Sequence, residues 1–153
     1  MRGMNDVLAR VELSGKVEHR RGQQFVEGTG FAGDGYARVH RIEPHGFASH
    51  PVKGGIALAV SRGRRDTTYA LGGENPVLRP DLPQGAVALY DAGGNIIKLI
   101  GSGAVFDFGS RTATLTAGDW TINGTVTING DGIVNGNLTA SGSVTDGDGD
   151  GGA

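Results

Sequence analysis

Cysteine is absent from the chain, which excludes a disulfide framework and a thiolate metal site. Long apolar runs are missing as well. The longest, Ile56 to Val60, is far short of the ~20 residues a membrane helix needs. The first residues, Met1-Arg2-Gly3-Met4-Asn5-Asp6, lack the apolar core of a signal peptide. These absences predict a soluble protein made in the cytoplasm. Basic residues run out in the second half. Residues 1–80 carry 12 Lys/Arg against 8 Asp/Glu, whereas residues 81–153 carry 2 against 8. Nucleic-acid binding calls for a basic stripe with interleaved aromatics. Arg62, Arg64 and Arg65 form only a short cluster on an expected turn and read as a solvated loop.

Glycine is what the chain has in excess, 29 of 153 residues against an average of about 7%. No Gly-X-Y period accompanies it, so collagen is excluded. From Ala117 onward the sequence reads in sixes, with Gly118, Gly124, Gly130, Gly136 and Gly142 at a fixed place and Asn before three of them. Between the glycines the even positions are apolar: Trp120, Ile122, Val126, Ile128, Val134, Leu138, Ala140 and Val144, with Gly132 the one break. Alternation with period two predicts extended segments with one buried face. The glycines predict corners with positive φ or close backbone approach.

Such short units cannot each bury their own face. A single-chain left-handed β-helix needs three sixes per coil, so 27 residues give about one and a half coils, too few to stand alone. A meander of Asn-Gly hairpins leaves four residues between turns, which makes poor strands. The remaining solution is that copies of the chain wind around each other and bury the even row on a common axis. Three copies suit it, since a closed prism of three sheets leaves no open edge.

The first half is punctuated differently. Asn5 to Val17 fits a strand through Val7, Ala9 and Val11, or a short helix through Val7, Leu8 and Val11. Short apolar alternations bounded by glycine follow at Gln24–Val26, Tyr36–Ile42, Gly55–Val60, Thr67–Leu71 and Gly85–Tyr90. Five such strands within 25–90 predict a small all-β barrel of the size of an OB-type barrel. Asp91-Ala92-Gly93-Gly94-Asn95 reads as a hairpin tip, and Ile96–Ile100 leads out of the barrel. Ala104, Phe106 and Phe108 lie on even positions, whereas Ala113, Leu115 and Ala117 lie on odd ones. That slip needs a bulge or turn, best placed at Gly109-Ser110, and the long β stretch therefore starts near Ile96.

Candidate sites are few. His40, His45 and His50, with Glu43 among them, are spaced by five, but converging on a metal would require folding back across Pro44, Gly46 and Pro51; they read as loop residues. No Ser-His-Asp or Cys-His set is present, and no pair of acids with a supporting pocket, so the chain reads as a non-enzyme with no cofactor. Asp146, Asp148 and Asp150 alternate with glycine like the first half of an EF-hand calcium loop, but the Glu that would complete it is missing. The tail can fray, bind a hard cation or meet a partner.

The run Glu43-Pro44-His45-Gly46-Phe47-Ala48-Ser49-His50-Pro51-Val52-Lys53-Gly54-Gly55, then Arg79-Pro80-Asp81-Leu82-Pro83-Gln84-Gly85-Ala86-Val87-Ala88-Leu89-Tyr90-Asp91-Ala92-Gly93-Gly94, resembles the Mu-type phage baseplate protein family, the Gp45 or baseplate assembly protein V group. With the repeat, the resemblance covers roughly residues 20–145. It implies a homotrimeric central spike of a contractile-tail baseplate. Residues 1–24 would be an N-terminal segment, 25–95 an OB-type barrel docked on the tail hub, 96–145 a trimeric β-helix and 146–153 a Gly/Asp-rich tip. It further implies a virion protein, assembled in the host cytoplasm, that contacts and helps pierce the host outer membrane. Family members often end in a His-x-His that binds iron; this chain has no histidine after His50, so its tip would be metal-free, served by the Asp-Gly tail, or capped by a separate small protein. A β-helical carbohydrate-binding module or acyltransferase-like enzyme is the alternative. Either needs aromatic platforms or a histidine on the helix, and Trp120 is the sole aromatic after Phe108.

Overall fold

The computed structural model describes residues 6–62, 67–145 and 147. Among these the regular structure is β throughout, with no α-helix. The first unit, residues 1–113, contains every strand. Five form a closed barrel: β1 (Asp6–Arg20), β2 (Gln23–Gly30), β3 (Gly35–Ile42), β4 (Ile56–Arg62) and β5 (Tyr69–Glu74), in the order β1-β2-β3-β5-β4. β1 is long enough to pair with β2 along its second half and with β4 along its first, and so it joins the two edges. The other closing contact is the parallel pairing of β3 with β5, His40 opposite Tyr69 and Ile42 opposite Leu71.

Local sequence explains the bends. Arg21 and Gly22, at φ +51° and +77°, form the two-residue turn between β1 and β2, where both central residues need positive φ to match the strand twist. β1 breaks register between Leu13 and Val17, and Gly15 sits in that bulge at φ +85°. A Cβ there would lie 2.8 Å from the Lys53 nitrogen. Beside it, Leu13 donates to the Gly55 carbonyl at 2.7 Å and accepts from Gly54 at 3.0 Å, so the Gly54-Gly55 turn is sewn onto β1.

The interior is small. Val11 and Leu13 from β1, Val26, Val39, Ala57, Ala59 and Ala70 fill it, with Ala9, Val17 and Tyr36 packed around. A second sheet follows, the antiparallel meander β6 (Val87–Tyr90), β7 (Ile96–Ile100) and β8 (Gly103–Asp107). Its first turn is the expected tip. Asp91 accepts from the backbone of Gly93 and Asn95 and from the Asn95 side chain. The Asn95 side chain above all, then its backbone and Gly93, holds the Asp91 carboxyl below its ordinary pKa. That tie is therefore present above the ordinary carboxylate range and lost as pH falls through the lowered value.

Two expectations shift. The ambiguous stretch ahead of residue 24 is a strand, β1, and it supplies the barrel's longest wall. Gly85–Tyr90, expected as the fifth barrel strand, instead contributes β6 to the second sheet. Gly109, at φ +57°, makes the turn after β8 where the apolar residues of the sequence change parity, and Arg111 donates to the Phe108 carbonyl at 3.0 Å to close it. The second unit, from residue 114 on, has no strand among its described residues.

Candidate functional site

Alternation along β3 puts Arg41 on the same inward side as Val39, and both are buried. A guanidinium in that position must be paired and hydrogen-bonded. Arg41 donates to the Gly72 carbonyl at 2.6 Å, the Gln24 side chain at 2.8 Å and the Ser49 hydroxyl at 3.0 Å. Its Nη1 lies 2.8 Å from a Glu43 carboxylate oxygen, and the two side chains are only 8% and 17% exposed. Ser49 donates its hydroxyl to that same oxygen at 2.7 Å and its amide at 3.0 Å. Gln24 donates to the Ser49 carbonyl at 2.7 Å. Four residues from β2, β3 and the β3–β4 loop therefore clasp that loop to one end of the barrel. Nothing local in the sequence announces the cluster except an arginine at a core parity. The Ser49 hydroxyl, already donating to Glu43 and accepting from Arg41, is held as a structural tie.

The histidines part company. The His40 ring lies 5.4 Å from Phe25 and 5.8 Å from Tyr69, and His50 lies 5.7 Å from His19. Among the described residues no group of three or more His, Cys, Asp or Glu is placed to hold a metal. Arg64, Arg65, Asp146, Asp148 and Asp150 lie outside the described residues.

The second sheet has one wholly apolar face. Directly opposed residues of an antiparallel pair share a face, so Val87, Leu99 and Ala104 form one row and Leu89, Ile97 and Phe106 the next. Val87, Leu89, Leu99 and Phe106 are all more than half exposed. Arg111 reaches back from the end of this unit to donate to the Gly93 carbonyl.

In the second unit the sixfold repeat has a physical counterpart. The backbone bends at Gly118, Gly124, Gly130, Gly136 and Gly142, with neither helix nor strand between the bends. Gly124 and Gly130 adopt φ +149° and +157°, a region essentially confined to glycine. At all five positions a Cβ would meet nothing within 4 Å, so close approach within the chain is not what these glycines serve. The even row is open: Trp120, Ile122, Val126, Ile128, Val134, Leu138 and Val144 range from 56% exposed at Val144 to 76% at Leu138. Among the described residues, none from Thr112 to Thr145 makes a backbone–backbone hydrogen bond within the chain. Thirty-odd residues thus present both an apolar row and backbone groups without a partner in their own chain.

Residues 13–76 match the family model described as Bacteriophage Mu Gp45, N-terminal. No curated protein gives a significant match to the chain. The matched residues include β2 to β5, most of β1 and every member of the Arg41 clasp, and they stop short of the second sheet and the repeat. Through residues 13–76 the chain is similar to the N-terminal part of the Mu Gp45-type family of phage baseplate proteins.

Proposed function

We propose that this chain is the central spike of a contractile-tail baseplate, a homotrimer whose repeat is an intertwined β-helix and whose barrel is of the OB type. The carrying observation is the stretch from Thr112 to Thr145, apolar on alternate residues and without backbone partners in its own chain. An exposed ladder edge is a template for another chain, and identical chains offer each edge a matching one. Burying a large apolar side chain stabilises by ~1.5–3 kcal/mol. For the seven row residues, already partly covered, that comes to on the order of 10 kcal/mol per chain, comparable to the cost of ordering an assembly. The open faces of the five repeat glycines then have a purpose, since they let neighbouring backbones approach.

The barrel supports the docking half of the reading. Five strands closed through one parallel pair suit an OB-type barrel, and its irregular loops, on a rigid wall, are the part that carries contacts to the tail hub. The rod needs stiffness and shape rather than chemistry. Backbone bonds shared between chains prevent one chain from unfolding alone, and Thr, Asn, Asp and Ser on the outer face pass lipid headgroups without adhering. Driven by the contracting sheath, the spike helps pierce the host outer membrane. Its tip is met by a separate capping protein.

Sedimentation equilibrium or light scattering on the purified chain tests this. The expected mass is about three times 15.7 kDa. A stable monomer would sink the spike reading.

A further inference from the structure

Small barrels carry their large apolar side chains inward. On β4 and β5 the order is inverted: Ala57, Ala59 and Ala70 fill the interior, whereas Leu58, Tyr69 and Leu71 face outward at 43%, 46% and 43% exposed. Ile42, at the end of β3, is 46% exposed. These residues form a continuous patch because the register joins them. Ile42 pairs with Leu71, and Leu71 with Leu58. In the adjoining row Phe25 pairs with His40, His40 with Tyr69, and Tyr69 with Val60. The flanking charges lie at its rim: Arg38 pairs with Glu18 at 3.1 Å and sits over the Phe25 ring at 5.8 Å, and Arg10 lies over the Phe31 ring at 5.3 Å.

The size of the patch indicates its occupant. At on the order of 200 Å² for a fully exposed large side chain, Ile42, Leu58, Tyr69 and Leu71 present roughly 350 Å². A stable interface between separate proteins takes about 800 Å² from each, so an independently diffusing partner gains too little here. A copy already tethered in the same assembly meets the patch at high effective concentration, and a small apolar contact then suffices. We propose that the outer face of β3, β5 and β4 is covered by the barrel of a second copy of this chain, so that the barrels, and not only the repeats, are held together. This rests on the homotrimer reading.

The absence of cysteine makes the test direct. Leu58→Cys introduces a single thiol on the patch, and Gln23→Cys one on the exposed end of β2 as control. Maleimide labelling of the purified, native full-length protein is expected to be about tenfold slower at Leu58→Cys than at Gln23→Cys, since thiol reactivity follows access. Leu71→Cys, on the neighbouring strand, must rank the same way, which guards against a local disturbance in one variant. An oligomer in which both patch thiols label as fast as the control overturns this inference and leaves the spike reading standing. A monomeric mass overturns both.

Discussion

Arg41→Ala is expected to cost the barrel about 3–5 kcal/mol, the usual penalty for removing one partner of a buried ion pair. The loss is not one contact. The Glu43 carboxylate, the Gly72 carbonyl and the Gln24 side chain all surrender a donor, and a buried acceptor left unmet forfeits its solvation. With alanines filling much of the interior, the barrel has little other stabilisation to draw on. Hydrogen exchange on the β3 and β5 amides is the right measurement, because Trp120 lies in the repeat and its fluorescence does not report on the barrel. The Arg41→Met, Glu43→Leu double variant removes both charges together and should recover much of the loss. An Arg41→Ala protein whose β3 and β5 amides exchange as slowly as in the parent would mean that the clasp holds the loop and not the barrel.

Ile128→Asp should prevent assembly, while Thr127→Asp should leave it intact. Position 128 lies in the middle of the even row and position 127 outside it, so in a strand one residue of displacement moves the charge from one face to the other. In the proposed trimer, three carboxylates on one axis without a cationic partner would cost several kcal/mol per ion. An outward carboxylate next door falls in the range of ordinary surface changes, about ±0.5 kcal/mol. Sedimentation of the two variants gives the answer, and equal assembly would show that the even row is not the buried one.

The parts of the fold governed by local pattern were legible. Glycine-bounded alternations place β2 to β5, the Asp91–Asn95 tip is a turn, and the sixfold period appears as bends at the repeat glycines. β1 was not, because Val7, Leu8, Ala9 and Val11 fit two periods. What decides between them is pairing with β2 on one edge and β4 on the other, a contact between residues far apart in the chain. The Arg41 clasp stayed hidden for the same reason, since Gln24, Ser49 and Gly72 lie 17, 8 and 31 positions away. Apolar alternation left the inner face of β4 and β5 open, and there the core takes the alanines rather than Leu58 and Leu71.

The order of these parts along the chain sets a timetable during synthesis. The barrel's last strand ends at Glu74, so its five strands have been synthesised with roughly half the chain still to be made; at ~5–20 residues per second, that half takes about 4–16 s. A small barrel of non-local topology folds in about milliseconds to seconds. The barrel can therefore close before Trp120 emerges, and the adhesive row appears only on chains already partly folded. Ribosome-bound chains stalled at Thr145, with the repeat still inside the exit tunnel, should already show a protease-resistant barrel. Barrels still cleavable at that stage would mean that folding waits for the other copies.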